Sequence, residues 1–167
     1  MIVYIVRHAP AEQHDPDRWP DDAQRPLTKK GKRKFGRAAE GLTEIAAKPE
    51  VHLTSPFTRA RQTAELLVKR AGWPDPVEAP QLAGGSDPAE TLPLLAEHSG
   101  VKAVALVGHE PHVSELTSLL LSGDRHLVDT PFKKGGFACL EFSGEIAPGR
   151  AQLLWFLGPG ALRRFVC

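Results

Sequence analysis

Short apolar runs alternate with longer amphipathic stretches along this chain. IVYIV (2–6) is apolar at every position, which predicts a strand buried on both faces. The polar, proline-rich segment 11–26 predicts a loop, long enough to suspect a functional role. Residues 28–47 read as a helix, with Phe35, Ala38, Ala39, Leu42, Ile45 and Ala46 on one face and Thr28 as N-cap. VHLTS (51–55) predicts a short strand. A second helix over 57–72 has Pro56 near its start, Gly72 as its stop and Pro74 beyond. A short strand at 77–79 follows.

Asp87-Pro88-Ala89-Glu90 has the form of a capping box with proline at the first helical position, so a helix is expected over 88–98, although Pro93 counts against it. AVALVG (103–108) is a strongly apolar strand. Pro111 opens a helix to about 121, which Gly123 closes, and strands at 136–142 and 151–157 complete the pattern. Strands alternating with helices predict one α/β domain over residues 1–167. The expected architecture has three layers, with a mostly parallel central sheet and helices on both faces.

Composition narrows the class. Of 167 residues, 25% are charged and 41% hydrophobic, as in ordinary soluble globular proteins, and the net charge of +1 gives no global case for nucleic acid or membrane. Cys139 and Cys167 are the only cysteines; they make neither a disulfide framework nor a zinc spacing, and they fit a reducing, cytoplasmic setting. The N-terminal apolar run is too short for a signal peptide, and no stretch approaches the length of a membrane span.

Candidate chemistry gathers at strand ends. In parallel α/β sheets ligands sit beyond the carboxyl ends of the strands. The first strand ends on Arg7-His8, the second on Thr54-Ser55-Pro56 with Arg59 in the next helical turn, and the 103–108 strand on Gly108-His109-Glu110-Pro111. If these strands are parallel neighbours, two histidines and two arginines converge. Two guanidinium forks beside helix N-termini suit a dianionic phosphate, and a neutral histidine among them can attack phosphorus.

These segments resemble the histidine phosphatase (phosphoglycerate mutase-like) superfamily. VRHAPA looks like its Arg-His-Gly motif, with Ala9 in place of the commoner glycine. RPLTKKGKRKFGRAA, TSPFTRARQTAELL and LVGHEPHVSEL resemble its three further motifs, in the family's order and over residues 2 to about 120. The small size, the RHA variant, RPLT, SPFTRARQT and the LAGG-DP stretch are similar to the SixA branch, the protein-phosphohistidine phosphatases. The resemblance implies that His8 is the nucleophile and is transiently phosphorylated. It implies that Arg7, Arg59 and His109 bind the phosphate oxygens, with Arg25 as a further substrate contact. It calls for no metal and no organic cofactor.

Gly84 stands where mutase-like members carry a catalytic glutamate. Expelling an alkoxide needs a general acid, whereas an imidazole can enter the reaction already protonated. A site without that acid favours phosphohistidine in a protein partner. Glu110 is the first candidate for a replacement proton donor, and Glu12, Asp87 and Glu90 are further carboxylates to place. A phosphatase of small phosphomonoesters is the same-class alternative, and a non-catalytic phosphate-binding module the alternative from another class. His109 and His112 do not form a metal motif, because Pro111 breaks the helical spacing and HExxH is absent. His14, His52, His98 and His126 read as surface or structural. Lys29, Lys30, Lys32, Arg33 and Lys34 read as a solvated helix face, with docking of an acidic partner as the weaker alternative. Lys133-Lys134 reads as a turn or as part of a pocket rim.

Overall fold

The two most apolar segments lie side by side in the middle of the sheet. A computed structural model describes residues 1–166; Cys167 lies outside them. β1 (Ile2–Arg7) and β4 (Ala103–Gly108) pair in parallel, Ile2 opposite Ala103 and Arg7 opposite Gly108. β2 (Val51–Thr54) pairs in parallel with the other side of β4, and β3 (Val77–Glu78) extends the parallel part outward. β5 (Phe137–Glu141) and β6 (Gln152–Leu157) add antiparallel to the other side of β1, giving the order β3-β2-β4-β1-β5-β6.

Side chains alternate between two cores, as the pleat requires. Tyr4, Val6, Ala105 and Val107 face α1 (Lys29–Leu42), α2 (Thr58–Ala71) and α5 (Pro159–Leu162). Val3, Ile5, Val104 and Leu106 face α3 (Thr91–Glu97) and α4 (His112–Ser122). Helices therefore cover both faces of a mostly parallel sheet, as the sequence pattern predicts. Trp73 and Trp155 pack on Tyr4 from either side, with ring centroids 5.6 and 6.1 Å away.

Several boundaries differ from the expected ones for local reasons. Thr28 caps α1 as expected, accepting from the Gly31 amide at 2.8 Å, but the helix stops at Leu42 rather than 47. There the Thr43 hydroxyl donates to the Glu40 carbonyl at 2.7 Å, a local bond that competes with helix continuation. At 87–90 the Asp87 carboxylate accepts from Ala89, not Glu90, so a 3₁₀ turn (Pro88–Glu90) forms before α3 begins at Thr91. Pro93 consequently falls in the first turn of α3, where an N–H lacks a helical partner anyway. The short α5 and the 3₁₀ turn Asp22–Gln24 carry no periodic signal of their own.

Candidate active site

Register places the strand ends level with one another. Arg7 lies opposite Gly108 and Thr54 opposite Val107, so His8, Ser55 and His109 emerge together beyond the sheet. The His8 amide donates to the Gly108 carbonyl at 3.0 Å and the Ser55 amide to that of Val107 at 2.9 Å, continuing the ladder into the site. The His8 and His109 ring centroids are 5.1 Å apart.

Local packing fixes the segment around His8. The Gly135 amide reaches the carbonyls of both Arg7 and His8, at 3.1 and 3.0 Å. Gly135 has φ +78°, and a Cβ there would meet the Phe35 ring at 2.9 Å, so glycine is required. Thr63 Oγ1 accepts from the Ala9 amide at 2.9 Å and donates to the Arg59 carbonyl at 2.7 Å, tying α2 to the residue after His8.

Burial holds both histidines neutral, and a carbonyl fixes the tautomer of His8. His8 Nδ1 donates to the Ala9 carbonyl at 2.7 Å, which leaves the lone pair on Nε2. Burial lowers the pKa of His8 to about 3; the Ala9 hydrogen bond opposes this, and Arg59, Arg7 and Arg25 add to it. Ser55 Oγ accepts from the Phe57 amide at 3.2 Å and lies 2.7 Å from His109 Nε2; when its hydroxyl donates to Nε2, the neutral His109 ring carries its proton on Nδ1. Burial, then the charges of His8 and Arg59, lower the pKa of His109 to about 2.

The arginines divide their donors. Arg7 Nη1 donates to the Phe132 carbonyl, while Arg59 Nη1 donates to the Asp22 carbonyl at 2.8 Å and its Nη2 meets Asp22 Oδ2 at 3.0 Å. Arg7 Nε, Arg59 Nε and His109 Nδ1 are buried without a protein partner. All three residues line one cavity, and buried unpaired groups are costly unless a partner such as a phosphoryl group joins them. Arg25 stands beside them, its Nε on Asp22 Oδ1 and its Nη1 on the Glu12 carbonyl, both at 2.7 Å.

A cavity of 430 Å³ opens over these groups, lined by Arg7, His8, Arg25, Arg59, His109 and Glu110, among others. All six residues singled out from the sequence thus reach one site. Glu12 and His14 also line it, and Lys134 forms part of its rim; Asp87 and Glu90 do not reach it. Glu110 accepts from the Phe132 amide at 2.8 Å and from Ser114 Oγ, so its carboxylate is engaged with protein donors. Gly84 lies one ring away: a Cβ there would meet Phe57 at 3.1 Å, and the Phe57 ring is 5.0 Å from that of His109. His112 lies elsewhere, beside Thr91 and a separate cavity that also includes Asp87 and Arg125. Among the described residues no three metal-ligating side chains cluster.

Sequence reasoning missed Asp22, which joins Arg25 and Arg59. A hydrogen bond from Arg25, with contributions from His14 and Arg59, holds its carboxyl well below the usual range despite some desolvation. The length of the 11–26 loop was its only trace in the sequence. Phe132 was also missed, since it lies in an irregular segment without periodicity.

Comparison with known proteins agrees with this geometry. The sequence profile of the histidine phosphatase superfamily (branch 1) matches residues 3–83. An uncharacterised protein of Picosynechococcus sp. is 34% identical over 125 residues, 74% of each chain, and one of Mycobacterium tuberculosis is 29% identical over 88% of this chain and 99% of its own. The structure of the protein histidine phosphatase SixA complexed with tungstate superposes with a TM-score of 0.84 at 27% identity, covering 97% of this chain and 99% of that one. A mycobacterial glucosyl-3-phosphoglycerate phosphatase shares the fold, at TM-score 0.70 and 16% identity over 94% of this chain and 99% of that one. The chain belongs to the histidine phosphatase superfamily, in its SixA-type branch, and is a hydrolytic phosphatase of a kind that needs no metal.

Proposed function

We propose that this phosphatase works through a phosphohistidine intermediate on His8 and that its substrate is phosphohistidine in a protein partner. The observation that carries the reading is the pairing of a fixed Nε2 lone pair on buried His8 with three unpartnered nitrogens, Arg7 Nε, Arg59 Nε and His109 Nδ1. In the first step Nε2 forms a bond to phosphorus as the substrate P–N bond breaks. The bond pair leaves with the substrate imidazole, which departs neutral when its distal nitrogen is protonated. In the second step water attacks phosphorus, the His8–phosphorus bond breaks, and phosphate departs. In a loose transition state charge collects on the equatorial oxygens, so positioned cations and N–H donors supply most of the rate enhancement. Arg7, Arg59 and His109 are assigned that role, and Arg25 a supporting one beside Asp22.

Phosphohistidine is favoured over phosphomonoesters because Gly84 offers no acid and Glu110 is occupied as an acceptor. The opposing observation is that Glu110 lines the cavity, which keeps small phosphomonoesters as the second reading. The test is rapid, acid-free quenching with a labelled donor. Base-stable, acid-labile label should lie on His8, and His8→Ala should abolish it. Label on another residue, or near-wild-type turnover by His8→Ala, sinks the mechanism. A comparison of phosphohistidine peptide with phosphomonoesters then decides the substrate.

A further inference from the structure

The start of α1 carries charge of the wrong sign for its position. Helix N-termini favour acidic side chains, yet the first turn of α1 has none, and five of the six residues from Lys29 to Lys34 are basic. Gly31 alone of the six is neutral, and it is buried against the Pro10 carbonyl. Lys29, Lys30, Lys32, Arg33, Lys34 and Arg37 are all exposed, and none belongs to an ion pair among the described residues. The apolar side of the helix is filled by Phe35, Ala38, Ala39 and Leu42. Folding therefore uses none of these charges, and the helix dipole and their mutual repulsion both oppose them. The whole chain has a net charge of only +1, so the cluster is a local feature rather than a general basic character.

The cluster adjoins the site. The Thr28 amide donates to the carbonyl of Pro10, two residues after His8, at 3.1 Å. Thr28 and Lys134 line a groove of 730 Å³ that shares Ala11, Glu12, Gln13, His14 and Lys134 with the cavity over His8. The Lys133–Gly135 turn packs against α1 through Gly135 and Phe35. Glu12, Asp15 and Arg18 also line this groove, so its own charges are mixed and the excess of positive charge lies on α1 beyond Thr28.

We infer that the exposed basic face of α1 is a docking surface for an acidic face of the phosphorylated protein partner, placed so that the partner's phosphohistidine enters the cavity over His8. This rests on the functional reading above and adds the charge of the partner to it. Charge complementarity of this kind acts mainly on association and partner choice, and it weakens with salt. The cluster has no exposed aromatic on which bases could stack, and the net charge of the chain is only +1, which favours a protein partner over nucleic acid.

Two phosphohistidine peptides of equal length, one flanked by Asp and Glu and one by Lys and Arg, provide the test, with phosphoramidate as a small substrate. At low salt kcat/KM for the acidic peptide should exceed that for the basic one at least tenfold, and the difference should shrink as salt is raised. The variant Lys30→Glu/Arg33→Glu/Lys34→Glu should abolish or invert the preference while phosphoramidate turnover stays within twofold. Equal rates for the two peptides, or equal loss on peptide and phosphoramidate, overturns the proposal. Binding of the unphosphorylated acidic peptide, followed by fluorescence anisotropy, reads the surface independently of turnover. If that peptide binds through these three residues but neither phosphohistidine peptide is hydrolysed, the substrate reading fails and the docking surface stands. If a single-stranded oligonucleotide binds the same three residues more tightly at equal salt, the surface is for nucleic acid and the proposal is wrong.

Discussion

Arg7 and Glu110 hold the same residue from its two ends. Arg7 Nη1 donates to the Phe132 carbonyl, and Glu110 accepts from the Phe132 amide at 2.8 Å. Ser114 Oγ completes the arrangement, donating to Glu110 and lying 2.8 Å from the Thr130 carbonyl. The segment around Phe132 is otherwise irregular, so this bracket orients the guanidinium.

That relationship predicts a positioning role for Glu110. Glu110→Gln keeps an acceptor for the Phe132 amide and should stay within about threefold of wild type on every substrate. Glu110→Ala leaves a half-buried N–H unpaired and should lower kcat/KM by about 1–2 kcal/mol, roughly five- to thirtyfold, equally for phosphoramidates and alkyl phosphates. Steady-state kinetics on both substrate classes check this. A selective loss on alkyl phosphates in Glu110→Gln would identify it as the proton donor instead.

The divided use of each guanidinium predicts that lysine cannot replace either arginine. Arg59 spends Nη1 and Nη2 on Asp22 and keeps Nε free, and Arg7 spends Nη1 on Phe132 and keeps Nε. A lysine offers one nitrogen, which cannot reach both the protein acceptor and the phosphate. Arg7→Ala and Arg59→Ala should each lose about 2–4 kcal/mol in kcat/KM, as removal of an oxyanion-hole donor does, and Lys should restore little. Asp22→Asn weakens the hold on Arg59 and should weaken binding of inorganic phosphate, read by product inhibition. Tighter inhibition would mean that Asp22 competes with the phosphoryl group rather than positioning Arg59.

The parts of the site that were legible in the sequence are those tied to strand ends. Arg7, His8 and His109 follow uninterrupted apolar runs, and Arg59 follows a proline-marked helix start, so pattern and motif locate all four. Asp22 and Phe132 sit in segments whose conformation is set by tertiary hydrogen bonds, which periodicity does not encode. The early end of α1 at Leu42 has the same origin: a single hydroxyl, Thr43, redirects one carbonyl while the apolar pattern continues through Ile45 and Ala46.

Buried neutral histidines predict a stability that falls with acid. His8, His52 and His109 have pKa values lowered from 6.5 to about 3, 4 and 2, by burial in each case. The unfolded chain therefore binds more protons than the folded one between those values and 6.5. Stability from these groups is complete above pH 6.5 and is lost as pH falls toward the folded values. Asp22, whose pKa is lowered from 3.8, adds a loss at still lower pH. Urea midpoints should drop steadily from pH 6.5 to 4. His52→Gln, away from the site, should make that slope shallower without changing the pH dependence of kcat. An unchanged slope would show that His52 titrates normally.

Gly84 predicts how the rate depends on the leaving group. No carboxylate occupies position 84, and the neighbouring Phe57 ring stands between it and His109. Without a proton in flight, an alkoxide must leave as a strong base, so alkyl phosphates should lag phosphoramidates and aryl phosphates by orders of magnitude. A series of aryl phosphates should give a steep dependence of kcat/KM on leaving-group pKa. A Cβ at position 84 needs Phe57 to give by only a few tenths of an ångström, so Gly84→Glu is the variant that introduces a carboxylate here. That variant should flatten the dependence and raise alkyl phosphate turnover relative to phosphohistidine. If wild-type enzyme already hydrolyses a sugar phosphate as fast as a phosphohistidine peptide, a competent acid is present. The small-molecule reading would then replace the one proposed.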